Sequence, residues 1–245
     1  PPNEIAPPRI GAVLVAAGRG QRMGSPRNKL LVELNGRPIL ERAAEAISRD
    51  PRILELIVVV RPEEREEVRS MLSGLAASVE RLLLPEGGLE RADSVRSGVE
   101  AASPDLDLLL VHDAARPFVS RALLARVIQA GLRHGAAIPA IPVVDTLKQV
   151  DDGWVSRTVD RAGIYCAQTP QAFCTRVLKD AVERARAEGI AHTDEASLME
   201  QLGVPVHVVA GESTNIKLTR PEDLRFARSL LELVRSEEGD QGCLK

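Results

Sequence analysis

The feature that most limits the fold of this chain is an alternation of short, nearly continuous Val, Leu and Ile runs with segments of helical period. Runs at residues 10–17, 53–60, 79–84, 106–111, 136–144 and 206–210 read as strands. Strands with so little polar alternation are expected where both faces of a parallel sheet are covered. Between them, residues 38–48 place Ile39, Leu40, Ala43, Ala44 and Ile47 on one helical face, with Pro38 in the first turn. Residues 62–72 open with Pro62 and two glutamates, and Ser120 is set to cap a helix over 121–133, with Gly135 just past its end. Thr219-x-x-Glu222 has the capping-box pattern ahead of a last helix over 220–234. The alternation predicts an α/β fold, a doubly wound and mostly parallel sheet, as a single domain over 1–245. Its ligand should sit beyond the carboxyl ends of the strands.

One segment breaks the rhythm. Residues 146–150 and 154–159 are extended stretches joined by Asp151-Asp152-Gly153, and Asp-Gly between such stretches is a strong hairpin signal. A protruding β-hairpin arm over 143–161 is therefore expected. An isolated two-stranded ribbon is marginal in water, so the arm should pack on something, a second subunit being the natural choice. The polar residues 236–245 read as a flexible tail.

With 245 residues the chain has ample length for a core. Its formal charge of −3 argues against general polyanion binding, so any phosphate site must be a local basic pocket. Aromatic residues make up only 2%, too few for the stacking platforms that hold single-stranded nucleic acid. Cys166, Cys174 and Cys243 are odd in number and lack Cys-x-x-Cys spacing, as expected of buried small hydrophobes in a reducing compartment. No apolar run approaches a membrane span, and the opening Pro-Pro-Asn-Glu lacks the features of a secretory signal. A cytoplasmic setting is the expectation.

Five segments carry chemistry. Val15-Ala16-Ala17-Gly18-Arg19-Gly20-Gln21-Arg22-Met23, followed by Lys29, runs from a strand through a glycine loop to spaced cations. Glycine lets backbone approach phosphate oxygens, and exposed N–H groups form an anion-binding concavity. The loop matches neither the dinucleotide fingerprint nor a Walker A sequence. By itself it is equally a tight strand-to-helix turn; the other segments favour phosphate. Glu86-Gly87-Gly88-Leu89-Glu90-Arg91-Ala92-Asp93-Ser94 would let a flat base lie against backbone, with the Ser94 hydroxyl nearby, or else is a glycine turn with a helix cap. In His112-Asp113-Ala114-Ala115-Arg116-Pro117, Asp113 at a strand tip suits Mg2+, which takes one or two protein carboxylates and fills its shell with phosphate and water. Arg116 suits a phosphate clamp, and His112 reads as a structural hydrogen-bonder rather than a base. Thr146 and Arg161 sit on the two legs of the arm, where local sequence leaves open a solvated face or a reach into a neighbour's site. Asn215-Ile216-Lys217 follows the last strand, with Lys217 placed as a phosphate cation and Asn215 able to offer an oxygen to a metal. A phosphate monoester is already ionised near neutrality, its second pKa being about 6, so its attack on a triphosphate needs no general base. Positioning and charge neutralisation would suffice.

Taken in order, Ala16-Ala17-Gly18-x-Gly20-x-Arg22-Met23, Glu90-Arg91-x-Asp93-Ser94-Val95, Val111-His112-Asp113-Ala114-Ala115-Arg116-Pro117, Gln168-Thr169-Pro170-Gln171 and Asn215-Ile216-Lys217 resemble the 2-C-methyl-D-erythritol 4-phosphate cytidylyltransferases of non-mevalonate isoprenoid synthesis. The resemblance covers roughly residues 10–226. It implies a Rossmann-like nucleotidyltransferase that joins CTP to 2-C-methyl-D-erythritol 4-phosphate, giving CDP-methylerythritol and pyrophosphate, with Mg2+. It further implies Arg22, Lys29 and Lys217 as catalytic cations and Asp113 as the metal and substrate carboxylate. Ala16, Ala17, Gly18, Gly20, Gly88 and Ser94 would hold the nucleotide, largely through backbone. Thr146 and Arg161 would reach a partner's sugar-phosphate site from the arm of a homodimer, with Arg116 and Thr169 near that phosphate. Two positions depart from the pattern. Asn28 precedes Lys29 where many members have Pro, and Leu89 follows Gly88 where many have Asp, so any base contact at 89 must come from backbone. A ribitol-5-phosphate cytidylyltransferase is the nearest rival, a uridylyl- or guanylyltransferase a more distant one, and a non-catalytic nucleotide-binding module the alternative of another class.

Overall fold

The structure, a computed structural model, describes residues 6–18 and 28–241, with side chains described as far as residue 233. Gly20, Arg22 and Cys243 lie outside the described residues.

Among the described residues one eight-stranded sheet carries the fold. Its parallel strands are β1 (Ile10–Val15), β4 (Ile53–Val59), β5 (Arg81–Leu83), β6 (Leu108–Asp113), β7 (Ala136–Pro142) and β12 (His207–Ala210). Two strands run against them, β10 (Tyr165–Ala167) and β11 (Gln171–Cys174). The order is β5-β4-β1-β6-β11-β7, with β10 following β11 along the same side of β7 and β12 on its other side. The doubly wound, mostly parallel reading stands. The antiparallel β11, wedged between β6 and β7, carries no local mark beyond a short apolar run.

Helices α1 (Ile39–Ser48), α2 (Arg65–Met71), α3 (Arg91–Ala101), α4 (Arg121–His134), α5 (Thr175–Glu188), α6 (Glu195–Gln201) and α7 (Asp223–Gln241) cover the faces. Alternate strand residues feed two cores. Ile10, Ala12, Leu14, Leu108 and Leu110 face the side of α1 and α4, whereas Val13, Leu109 and Val111 face that of α3, α5 and α6. Glycine sets how close α3 can come. A Cβ on Gly98 would lie 2.4 Å from Val13 Cγ1 and 2.9 Å from Val59 Cγ2. Gly98→Ala should therefore destabilise the fold by about 1–3 kcal/mol through overpacking, read as a lower denaturant midpoint with an unchanged slope.

Local signals place most boundaries. The Ser120 hydroxyl accepts the Leu123 N–H at 2.9 Å, and Gly135 closes α4 in the left-handed region at φ +82°. Two readings need correction. Pro38 is the cap before α1 and pairs with Glu33, in a small hairpin of β2 (Glu33–Leu34) and β3 (Arg37–Pro38), rather than opening the first turn. Thr219 does not form a box with Glu222. Instead the Asp223 carboxylate reaches back to accept the Thr219 and Arg220 N–H groups at 2.6 and 2.8 Å, so the helix starts at Asp223. It runs through residues 236–241, where the sequence reads as a tail.

The arm is β8 (Leu147–Asp151) and β9 (Trp154–Val159), a two-stranded sheet of its own. Its turn residues Asp152 and Gly153 both have positive φ, +48° and +83°, which two-residue hairpins require to match strand twist. Cys166 corrects the expectation of burial. It is exposed because β10 pairs with β7 on one side only, and Cys174 is half-buried. Among the described residues no helix is long and apolar enough to cross a membrane.

Candidate active site

Sheet register brings the motifs to one rim. Val15 pairs with Val59 on one side and Asp113 on the other, and Val60 bridges to Glu86. The segments after β1, β5 and β6 therefore leave the sheet side by side. β6 extends through His112 and Asp113, two residues further than the apolar run suggests, because both still pair with β1.

At the first loop, Ala16 and Ala17 are buried, the Ala16 N–H is bonded to the Val59 carbonyl at 2.9 Å, and among the described residues nothing lies within 4 Å of a Cβ added to Gly18. Asn28 ties this loop to Lys29. Buried, it donates to the Ala16 carbonyl at 3.0 Å and to Glu64 at 2.8 Å, while its side-chain oxygen accepts the Leu30 N–H. A proline there could make none of these bonds. Lys29 then reaches the Leu218 carbonyl at 2.8 Å, beside Lys217.

At the second loop, Gly87 and Gly88 are demanded by packing. Added Cβ atoms would lie 2.1 Å from Ala17 Cβ and 2.2 Å from Asp93 Cβ. The Ser94 hydroxyl accepts the Gly88 N–H and donates to the Glu90 carbonyl, each at 3.2 Å, so both groups help shape the loop. The Leu89 side chain is 88% exposed.

Asp113 is the centre of the rim. One carboxylate oxygen accepts from Lys217 Nζ at 2.5 Å and the other from Arg91 Nε at 3.2 Å. Burial alone would push its carboxyl up, but Arg91 and Lys217 outweigh burial and hold it well below the usual carboxylate range. Arg91 in turn meets the wholly buried Glu195 through two bonds of 2.8 and 3.1 Å. Burial opposes the Arg91 charge, and the Glu195 and Asp113 carboxylates more than restore it. Neither Arg91 nor Glu195 stands out in the sequence as a site residue. Arg91 falls inside a quoted motif, but its partner lies 104 residues on.

Behind Asp113, His112 and Thr169 form a closed polar unit. His112 Nε2 faces the Arg116 carbonyl at 3.0 Å and so carries the proton, leaving Nδ1 to accept from the Thr169 hydroxyl, also at 3.0 Å. The same hydroxyl accepts the Asp113 N–H at 3.1 Å. Thr169 thus supports the rim from within, and His112 is the structural hydrogen-bonder its motif suggests. Arg116 donates to the Asn215 carbonyl at 2.7 Å, and burial pulls its guanidinium below the usual value while Asp113 opposes this. Asn215 is buried; its amide N–H groups reach the Thr169 carbonyl at 2.9 Å and Gln168, and its amide oxygen has no partner among the described residues.

Burial, with the nearby Arg116 and Lys217 charges, pushes the His112 imidazole down to about 4, against the raising effect of the Arg116 carbonyl and Asp113. An unfolded chain protonates this group near pH 6.5, the folded one only near 4, so its contribution to stability is full above about 6.5 and is lost as pH falls. Thermal melts from pH 7 to 4.5 should show a decline of order 3 kcal/mol from this group, which His112→Gln flattens.

Thr146 and Arg161 stand exposed at the base of the arm, where Arg161 donates to the Val144 carbonyl. Neither is hydrogen-bonded to the Asp113 cluster within its own chain.

Lys29, Lys217, Asp113 and Arg116 therefore share one rim, and relatives share the chain's whole plan. Residues 10–233 match the family model described as IspD: 2-C-methyl-D-erythritol 4-phosphate cytidylyltransferase. The chain belongs to this family. The 2-C-methyl-D-erythritol 4-phosphate cytidylyltransferase of Geobacillus kaustophilus is 40% identical over 220 residues, covering 90% of this chain and 96% of the relative. That of Frankia casuarinae is 42% identical over 229 residues, covering 93% and 83%. Among solved structures, 4-diphosphocytidyl-2C-methyl-D-erythritol synthase from Anaerococcus prevotii superposes with a TM-score of 0.81 at 33% identity, over 93% of this chain and 98% of that one. The Thermus thermophilus cytidylyltransferase does so with a TM-score of 0.76 at 39% identity, over 90% and 98%. Membership accounts for the order of the five motifs, and the fold accounts for the meeting of their described residues.

Proposed function

We propose that the chain transfers a cytidylyl group from CTP to 2-C-methyl-D-erythritol 4-phosphate, giving CDP-methylerythritol and pyrophosphate. The substrate phosphate oxygen forms a bond to the α-phosphorus as the bond to the β-phosphate bridge breaks in line, and pyrophosphate leaves with that electron pair. The observation that carries this reading is the meeting of Lys29 and Lys217, through Leu218, beside an Asp113 held ionised. Two anionic reactants need such cations, and no general base is required because the attacking phosphate is already ionised. Arg22 would add a further cation from outside the described residues. Arg116 would sit beside the sugar phosphate, with Thr169 supporting it.

The donor set fits a divalent cation. Asp113 offers one ionised carboxylate, and among the described residues no three His, Cys, Asp or Glu side chains gather, so Mg2+ would draw the rest of its shell from phosphates and water. When bound, the ion supplies charge neutralisation on the triphosphate. Asp113 would hold it, and the unpartnered Asn215 oxygen is a further donor of suitable type.

The nucleotide base would lie against Ala16, Ala17, Gly18, Gly20, Gly88 and Ser94, with contacts at Leu89 from backbone alone. The arm would bring Thr146 and Arg161 to a second copy of the chain, a reading supported by exposed Val150, Trp154 and Val155 on its strands. The exposed free thiol of Cys166 suits a reducing, cytoplasmic setting.

The test supplies CTP with methylerythritol phosphate or with ribitol 5-phosphate, in the presence of Mg2+, and follows pyrophosphate release. Turnover with the first polyol is expected. Turnover only with ribitol 5-phosphate overturns the substrate, and turnover with UTP or GTP at the CTP rate overturns the base preference.

A further inference from the structure

Four alternating charges run inward from the rim: Lys217, Asp113, Arg91 and Glu195, linked at 2.5, 3.2 and 2.8 Å. The row begins at a Lys217 side chain 40% exposed and ends at a Glu195 side chain with no exposure. Glu195 belongs to α6, remote in sequence from every motif at the rim. Its place is set by Gln171, the first residue of β11, whose amide donates to Asp194 at 2.8 Å and accepts the Ala196 N–H at 3.2 Å. Gln171 pairs with Val111, two residues before Asp113, so the neighbouring strands β6 and β11 set Asp113 and the anchor of Glu195 side by side.

We infer that Glu195 is a positioning residue for the transfer reaction: by holding the Arg91 guanidinium with two bonds, it fixes the plane in which only the Arg91 Nε–H meets Asp113 and keeps the second carboxylate oxygen turned toward Lys217. A guanidinium is a planar fork that prefers to grip one carboxylate with two parallel bonds. Glu195 occupies that grip. Without it, Arg91 would take Asp113 bidentately and draw the carboxylate from Lys217, and a buried cation would stand against one shared anion. Outer partners that orient a functional carboxylate typically change rates roughly 10–100-fold when removed. The inference rests on the reading of Lys217 and Asp113 as reacting-site groups.

Three variants test it in the full-length chain: Glu195→Gln, the neutral double Arg91→Gln with Glu195→Gln, and Lys217→Ala. Pyrophosphate release gives kcat and KM, and thermal melts give Tm. Glu195→Gln is expected to lose roughly 10–100-fold in kcat with KM for CTP changed less than about threefold. The neutral double removes the uncompensated buried charge together with the Arg91 Nε–H that fixes the first Asp113 oxygen, so its Tm should recover toward the parent's while kcat stays low. Recovery of kcat together with Tm would show a purely structural pair and overturn the inference, as would losses that track Tm across both variants or a Glu195→Gln enzyme at full rate. If Lys217→Ala also kept full rate, the underlying reading of the site would fall instead.

Discussion

Lys217→Ala should lower kcat about 10²–10³-fold while KM for CTP moves only a few-fold, the scale found when one preorganised donor to a developing charge is removed. Lys217 reaches the rim half-exposed and is held at 2.5 Å from Asp113, so it is positioned before any ligand arrives. A cation fixed in this way meets charge that grows on the phosphate oxygens during transfer without reorganising, and its loss falls on the reaction step. Lys29→Ala should behave alike, because Lys29 is anchored on the neighbouring Leu218 carbonyl. Steady-state pyrophosphate release with each substrate varied in turn checks both. Equal losses in affinity and turnover would mark the two lysines as binding groups only.

Asp113→Asn should cost about as much in turnover, about 10²–10³-fold, and should lower stability by about 1–3 kcal/mol. Among the described residues the substitution leaves Arg91 with Glu195 as its one full counter-charge and leaves Lys217 with none at the rim. It also removes the carboxylate proposed to meet a divalent cation. The stability loss has a definite pH dependence. Because the folded Asp113 carboxyl is depressed, its contribution is present above the unfolded value near 3.9 and is lost as pH falls below it. The parent and D113N should thus differ most at neutral pH and converge in acid. Denaturation at pH 7 and pH 3 measures this; a gap that widens in acid would mean that Asp113 is not held ionised by its neighbours.

Much of the molecule is legible from neighbouring residues alone. Asp152-Gly153 needs only its own backbone preferences to turn the arm, and Ser120 and Gly135 need only the helix between them. The parallel strands follow from their unbroken apolar runs. The differences between sequence and structure share a cause. Pro38 and Thr219 suit several local roles, and the choice between them fell to pairing with Glu33 and to the competing Asp223 carboxylate. Cys166 is exposed rather than buried because its exposure depends on which strand edge it occupies.

What the sequence determined by itself is the six parallel strands, the hairpin, and the presence of glycine loops and cations suited to phosphate. These depend on backbone torsions, side-chain period and formal charge, which are properties of short stretches of chain. The tertiary structure alone decided that β11 enters between β6 and β7, and that Asn28 takes hold of the Ala16 carbonyl. It also decided that Glu195 meets Arg91 across 104 residues. A lone buried carboxylate is intolerable and a paired one is stable, but which guanidinium pairs with it is settled only when the sheet and helices have packed.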